Sequence, residues 1–236
     1  MIPIRDINPR TRVPWVNYAL LVGIGGVFAL QLMGEGSGGL VSQYGFVPAK
    51  FHAALRAEDA KALLLSLGTI ATSVFLHGGW FHVIGNLLFL RVFGDNIEEK
   101  LGHILYLVFF LVSGVAGALT HALVEPESAL PVIGASGAIA GVLGAYIVMF
   151  PTAKIVTLFP IFIFLTFIEL PAFLFLGIWV AQQLLNGYLV IGGGRGLLTA
   201  EPSVAWFAHI GGLAVGVVTG IAWRLWWRKR RRRLST

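Results

Sequence analysis

The sequence predicts an all-α polytopic membrane protein, a bundle of six spanning helices with a long outer loop between spans 1 and 2. Three observations predict it. Hydrophobic residues make up 57% of the 236 residues, charged residues make up 12%, and the mean hydropathy is +0.83. A soluble domain carries about 25% charged residues and has no core of this size in which to hide so much apolar surface. Six stretches are long and apolar enough to cross a hydrocarbon layer of about 30 Å. Basic residues gather at the two chain ends, with Arg5, Arg10 and Arg12 at one and Arg224 and the run Arg228 to Arg233 at the other. These features exclude a soluble enzyme, a disordered chain and a fibrous protein.

The spans cover roughly 14–33, 79–94, 103–124, 136–150, 171–191 and 203–224, with Pro151 ending the fourth. A seventh apolar run, Ile155 to Ile168, is broken by Pro160. The positive-inside rule places both basic ends in the cytoplasm, which requires an even number of spans. The 155–168 run is therefore expected to be an interfacial or partly re-entrant loop. The first span has no small-residue cleavage pattern after it and reads as a retained anchor. With this topology Lys50, Arg56, Lys61 and Arg195 lie outside, and the other 13 of the 17 basic residues lie inside.

The outer loop, about 34–78, contains a stretch at 51–66 that mixes apolar and charged residues at helical spacing. It is expected to lie flat on the membrane surface. Asp95, Glu98 and Glu99 read as a short cytoplasmic turn that helps start the third span. Glu169 reads as a boundary residue on the cytoplasmic side. The chain 1–236 is thus one membrane domain with a basic cytoplasmic tail, 225–236, set against anionic lipid. Nucleic acid is not an expected partner. The absence of cysteine excludes disulfides, zinc–thiolate sites and iron–sulfur clusters.

Polar groups inside the hydrocarbon are costly and call for a reason. His82 and Asn86 are spaced i, i+4 and share one helix face near the start of span 2. Ser136 sits in Gly134-Ala135-Ser136-Gly137 at the start of span 4, and His209 in Ala208-His209-Ile210-Gly211-Gly212 inside span 6. Spans 2, 4 and 6 all enter from the outer side, so the three clusters fall at one depth. Gly137, Gly141 and Ala145 on span 4, and Gly212, Gly216 and Gly220 on span 6, form faces that let helices meet backbone to backbone. Packing those faces together brings Ser136 to His209, the minimal nucleophile–base pair for acyl transfer. The helix start at Ser136 offers unpaired N–H groups for an oxyanion, and His82 and Asn86 offer side-chain donors. Such donors are worth roughly 3 kcal/mol each. No acid accompanies the histidine, and Glu201 is the nearest in sequence, so a Ser–His dyad is expected rather than a triad.

These residues resemble the rhomboid intramembrane serine proteases. The matching segments are His77-Gly-Gly-Trp-Phe-His82-Val-Ile-Gly-Asn86, Gly134-Ala-Ser136-Gly137, Ala208-His209-Ile-Gly-Gly212 and Phe93-Gly-Asp-Asn-Ile-Glu-Glu-Lys-Leu-Gly102. The last of these looks like bacterial members. The resemblance implies a six-helix fold with Ser136 as nucleophile and His209 as general base. It implies an oxyanion site made of His82, Asn86 and the Ser136 amide. It also implies single-pass transmembrane proteins as substrates, entering past span 5 and cut near their outer end. No metal and no cofactor are implied. Many members carry a Trp-Arg pair where this chain has Gly68 and Thr69. Some place an aromatic ring one turn after the serine, stacked on the histidine, where this chain has Ala140. Another group must therefore orient His209. Gln182, Gln183 and Asn186 in span 5 either contact substrate or hydrogen-bond a neighbouring helix. His77 and Trp80 read as interfacial and structural, and His52, His103 and His121 as structural or surface residues.

Two other functions compete. A small transporter also layers polar groups among glycine-rich helices, but the spans lack a midplane charge and broken helices in matching halves. A catalytically silent rhomboid-like protein binds membrane clients without cutting them, but loses the serine or the histidine, and this chain has both. The expected location is a prokaryotic plasma membrane, with no transit peptide or extra domain in the sequence. No sequence feature specifies an oligomer.

Overall fold

The computed structural model describes residues 1–34, 38–161, 164–192 and 205–234. A strand, β1 (Ile2–Asp6), precedes the first long helix, α1 (Trp15–Met33). The expected outer loop holds three helices, α2 (Gly38–Tyr44), α3 (Pro48–Arg56) and α4 (Ala60–Ser73). The 51–66 stretch therefore covers the end of α3 and the start of α4. Glu58, at φ 53°, turns the chain, and the Asp59 carboxylate restarts it by accepting the Lys61 and Ala62 N–H groups, both at 3.0 Å. Such a cap satisfies donors that the first helical turn leaves open.

Next come α5 (Trp80–Leu101), α6 (His103–Val124) and α7 (Ser136–Met149), then two strands, β2 (Lys154–Ile161) and β3 (Phe164–Pro171), and finally α8 (Ala172–Ile191) and α9 (Trp206–Leu234). Among the described residues, α1, α6, α8 and α9 are long and apolar enough to cross a membrane. Apolar side chains such as Val22, Leu30, Ile104, Leu123 and Leu184 stand exposed along these helices, as a lipid solvent allows. The chain is a multi-pass membrane protein.

Helix α7 is the axis of the bundle. Every residue from Gly137 to Tyr146 is buried. Its 14 residues span about 21 Å at 1.5 Å per residue, less than the hydrocarbon thickness. Helix α9 packs along it so closely that a Cβ on Gly212 would collide with the Gly137 carbonyl, and one on Gly216 with the Gly141 carbonyl. This is the small-residue contact expected between spans 4 and 6.

The opposite end departs from expectation in three places. The run at 155–168 is not a loop. Residues 154–161 and 164–171 pair as an antiparallel hairpin, from Lys154 opposite Pro171 to Ile161 opposite Phe164. β1 adds to the far side of β2, with Ile2 opposite Leu158 and Asp6 opposite Ile155, giving the order β1-β2-β3. The β-branched and aromatic residues of this run suit strands. Pro160 lies beyond the last β1 pair, where β2 has a neighbour on one side only and a missing donor is tolerated. Glu169 is a strand residue, ion-paired to Lys154 at 2.9 Å.

Asp95, Glu98 and Glu99 do not form a turn either, because α5 continues through them to Leu101. Glu98, 1% exposed, caps α1 instead of span 3. Its carboxylate accepts the Val16 N–H at 3.0 Å and the Asn17 N–H at 2.7 Å. Pro14 at the α1 N-cap supplies no side-chain cap of its own, so a neighbouring helix satisfies those donors. The basic tail, lastly, is a continuation of α9 to Leu234. Trp223 and Trp227 stack one turn apart at 5.7 Å, and the Arg230 guanidinium lies 5.4 Å over Trp226.

Candidate active site

Four of the residues singled out by the sequence line one cavity of about 490 Å³: His82 and Asn86 from α5, Ser136 from α7 and His209 from α9. The α7–α9 contact sets the key distance. His209 Nε2 lies 2.8 Å from Ser136 Oγ. His209 is 9% exposed. Ser136 is the first residue of α7, so its N–H belongs to the first-turn group that has no acceptor within the helix.

Gly134 makes this start possible. Its φ of +110° suits glycine, and a Cβ there would meet the His82 ring at 2.6 Å from Nε2. Its N–H donates to the Ser73 carbonyl at 2.9 Å, tying the approach to α7 onto the end of α4. The loop thus passes against the His82 ring and leads into Ser136, on the same cavity wall.

Asn86 is held from behind. Its Nδ2 lies 2.8 Å from His77 Nε2, and His77 Nδ1 lies 3.2 Å from the Phe75 carbonyl. A carbonyl only accepts, so Nδ1 carries the proton and Nε2 accepts one Asn86 N–H. Burial first, and the neighbouring His82 second, push His77 down to about 4, so its ring is neutral at ordinary pH. The second Asn86 N–H remains for the cavity. Gln31 of α1 clamps the His77 backbone, donating to its carbonyl and accepting its N–H, each at 3.0 Å. His77 is fully buried, and its contacts are structural, as expected. Its signal was available as a second histidine nine residues before Asn86, but nothing in that spacing says which atom it holds.

The group facing the other side of His209 comes from α8. His209 Nδ1 lies 2.6 Å from Gln183 Oε1. The ring is also flanked by Trp179 at 5.9 Å and by Trp206, edge-on, at 6.1 Å. Of the three span-5 amides, Gln183 thus bonds a neighbouring helix, Asn186 is buried, and Gln182 is exposed. The other expected histidines have partners of their own. His52 bonds the Ala122 carbonyl at 3.0 Å, His103 pairs with Glu98, and His121 is buried against Phe207. Glu201 and Arg195 fall outside the described residues. Among the described residues, no three His, Asp or Glu side chains converge as metal ligands would.

Chemically, this arrangement offers a hydroxyl already hydrogen-bonded to an imidazole. Donors on a second helix line the same cavity. Residues 66–226 match the Rhomboid domain. RHOMBOID-like protein 6, mitochondrial, of Arabidopsis thaliana is 31% identical over 64% of this chain and 42% of its own length. Rhomboid protein 1, mitochondrial, of Saccharomyces cerevisiae is 32% identical over 64% of this chain and 40% of its own. Inactive rhomboid protein 1 of Drosophila melanogaster is 30% identical over 34% of this chain and 6% of its own. The chain spans 25 to 42% of the length of the plant and yeast relatives it matches.

Proposed function

The chain belongs to the rhomboid family, and from that premise we propose that it is an intramembrane serine endopeptidase working through Ser136 and His209. Family membership alone does not decide activity, since one relative is named inactive. The observation that carries the reading is the 2.8 Å contact between His209 Nε2 and Ser136 Oγ on the wall of a cavity. A histidine there for packing alone has no need of a serine on its basic nitrogen.

In this mechanism Ser136 Oγ attacks the scissile carbonyl while His209 Nε2 takes its proton. The carbonyl oxygen becomes an oxyanion, met by the Ser136 N–H and by the Asn86 and His82 side chains. The C–N bond breaks as His209 returns the proton to the leaving amine. Water then attacks the acyl-serine and gives its proton to His209. Collapse releases the carboxylate product, and Ser136 Oγ takes that proton back. No cofactor enters any step.

The substrates proposed are single-pass transmembrane proteins, cut near the end of the span that reaches the dyad. Phe81, 96% exposed at the α5 start, and Trp179 on α8 both line the cavity. This supports lateral entry between α5 and α8. The proposed setting is a prokaryotic plasma membrane with both termini in the cytoplasm, an orientation the positive-inside rule favours, and with the α9 arginines against anionic lipid. The test is labelling with a fluorophosphonate followed by peptide mapping. Adduct on Ser136, abolished by His209→Ala, is expected. A folded chain that takes up no label sinks the protease reading in favour of client binding.

A further inference from the structure

We propose that Gln183 is a positioning residue for His209, holding the ring in the tautomer whose Nε2 lone pair faces Ser136. The proposal deepens the protease reading and rests on it. A neutral imidazole carries one proton on either of two nitrogens, and only the form protonated at Nδ1 can accept the serine proton at Nε2. A Ser–His pair without an acid therefore needs something that makes Nδ1 the protonated site.

The hydrogen-bond pattern around Gln183 shows how this is done. Gln183 Nε2 donates to the Trp179 carbonyl at 3.2 Å. A carbonyl cannot donate, so the amide nitrogen must face it, and the amide oxygen must face His209. That oxygen lies 2.6 Å from Nδ1 and cannot donate either, so Nδ1 carries the proton. Nε2 is left as acceptor, 2.8 Å from the Ser136 hydroxyl. The chain of assignments runs from a fixed backbone carbonyl to the reacting oxygen with no free choice. Gln183 is 4% exposed, so water does not compete for the bond.

Trp179 and Gln183 are one helical turn apart and present the same face of α8. One flanks the ring and the other binds its edge. The base is thus oriented by a different helix from the one that carries it. A neutral amide also suits this depth, because it fixes the proton without placing a charge in the bundle. Sequence spacing alone could not separate this role from substrate contact. The contact with Nδ1 assigns it.

The test uses the full chain with Gln183→Leu and Gln183→Glu. Leucine keeps the size and removes the acceptor, and glutamate keeps an acceptor oxygen. For Gln183→Leu, kcat is expected to fall about 10- to 100-fold, a large part of what a general base supplies, with KM within about twofold. Gln183→Glu is expected to restore kcat to within about threefold of wild type, above any value expected for the leucine variant, as rescue by the shared acceptor. ¹⁵N NMR of the histidine-labelled chain reads the tautomer directly, with His209 signals identified by their loss in His209→Ala. Wild type and Gln183→Glu are expected to show Nδ1 protonated, and Gln183→Leu a mixture. A folded Gln183→Leu with full kcat and an unchanged His209 spectrum overturns the proposal. If the leucine variant does not fold, the glutamate variant decides, and loss of the Nδ1 proton in that folded variant overturns it. A wild type that shows the Gln183-dependent tautomer but never cuts would sink the protease reading and leave the positioning contact standing.

Discussion

The two ends of α7 carry polar clusters of opposite character. At the Tyr146 end the groups satisfy one another. Asp6 Oδ2 accepts from the Tyr146 hydroxyl and from Asn96 Nδ2, both at 2.7 Å, and Asn8 donates to the same hydroxyl at 2.8 Å. Glu98 takes two helix N–H groups and the His103 ring. At the Ser136 end, about 15 Å along the helix axis, the groups line a cavity and retain capacity. Asn86 keeps an N–H, and the Ser136 amide sits at an open helix start. A saturated buried network stabilises a fold. Donors that are held rigidly yet aimed into a cavity are arranged for a ligand or a transition state. The comparison separates architecture from chemistry on one helix without reference to any relative.

This division can be broken by experiment, beginning with the largest effect. His209→Ala is expected to lower cleavage by at least about 10³-fold while leaving the thermal midpoint within a few degrees, since a dyad member acts as part of a unit. Unfolding in step with the loss of activity would move His209 to the architectural side. Asn86→Ala removes one of the proposed oxyanion donors while others remain, so kcat is expected to fall by about 10- to 100-fold with KM nearly unchanged. A rise in KM alone would assign Asn86 to substrate binding. Glu98→Ala should behave in the opposite way. It leaves two helix N–H groups buried without an acceptor and is expected to cost about 3 kcal/mol of stability, read by unfolding in detergent. The kcat of the remaining folded protein should be unchanged.

The smallest effect concerns Asp6. Burial, only partly opposed by the Tyr146 hydrogen bond, pushes its carboxyl up from 3.8 to about 6. The raised value favours the neutral form in the folded state. Its contribution to stability is full below about pH 4 and is lost as pH rises through about 6. Thermal stability should therefore slope downward across that window, and Asp6→Asn should flatten the slope. A parallel slope in both proteins would show that Asp6 is not the titrating group.

Much of this was legible in the sequence because hydropathy and small-residue spacing are local. The helices at 15–33, 103–124 and 172–191 lie within a residue of the spans read from composition. The Ser136–His209 contact follows from glycine stripes on two helices. The sheet was not legible. A short apolar run such as 155–168 does not by its hydropathy separate a strand from a helical or re-entrant segment, and its partner strand, residues 2–6, lies some 150 residues earlier. Glu98 was misread for a related reason. A charge after an apolar stretch looks like a span end, and only the packed bundle shows that it caps another helix. Gln183 was visible as an anomaly in an apolar helix. Its partner depended on which face of α8 meets α9, and on that point the sequence says nothing.

The central claim is that Ser136 cuts a peptide bond in a membrane substrate. The most direct measurement is cleavage of a reporter transmembrane protein by the purified chain in detergent, wild type beside Ser136→Ala. Cutting by the wild type and none by Ser136→Ala is the predicted result. Equal cutting by both would contradict the assignment of the nucleophile and, with it, the division drawn between the two ends of α7.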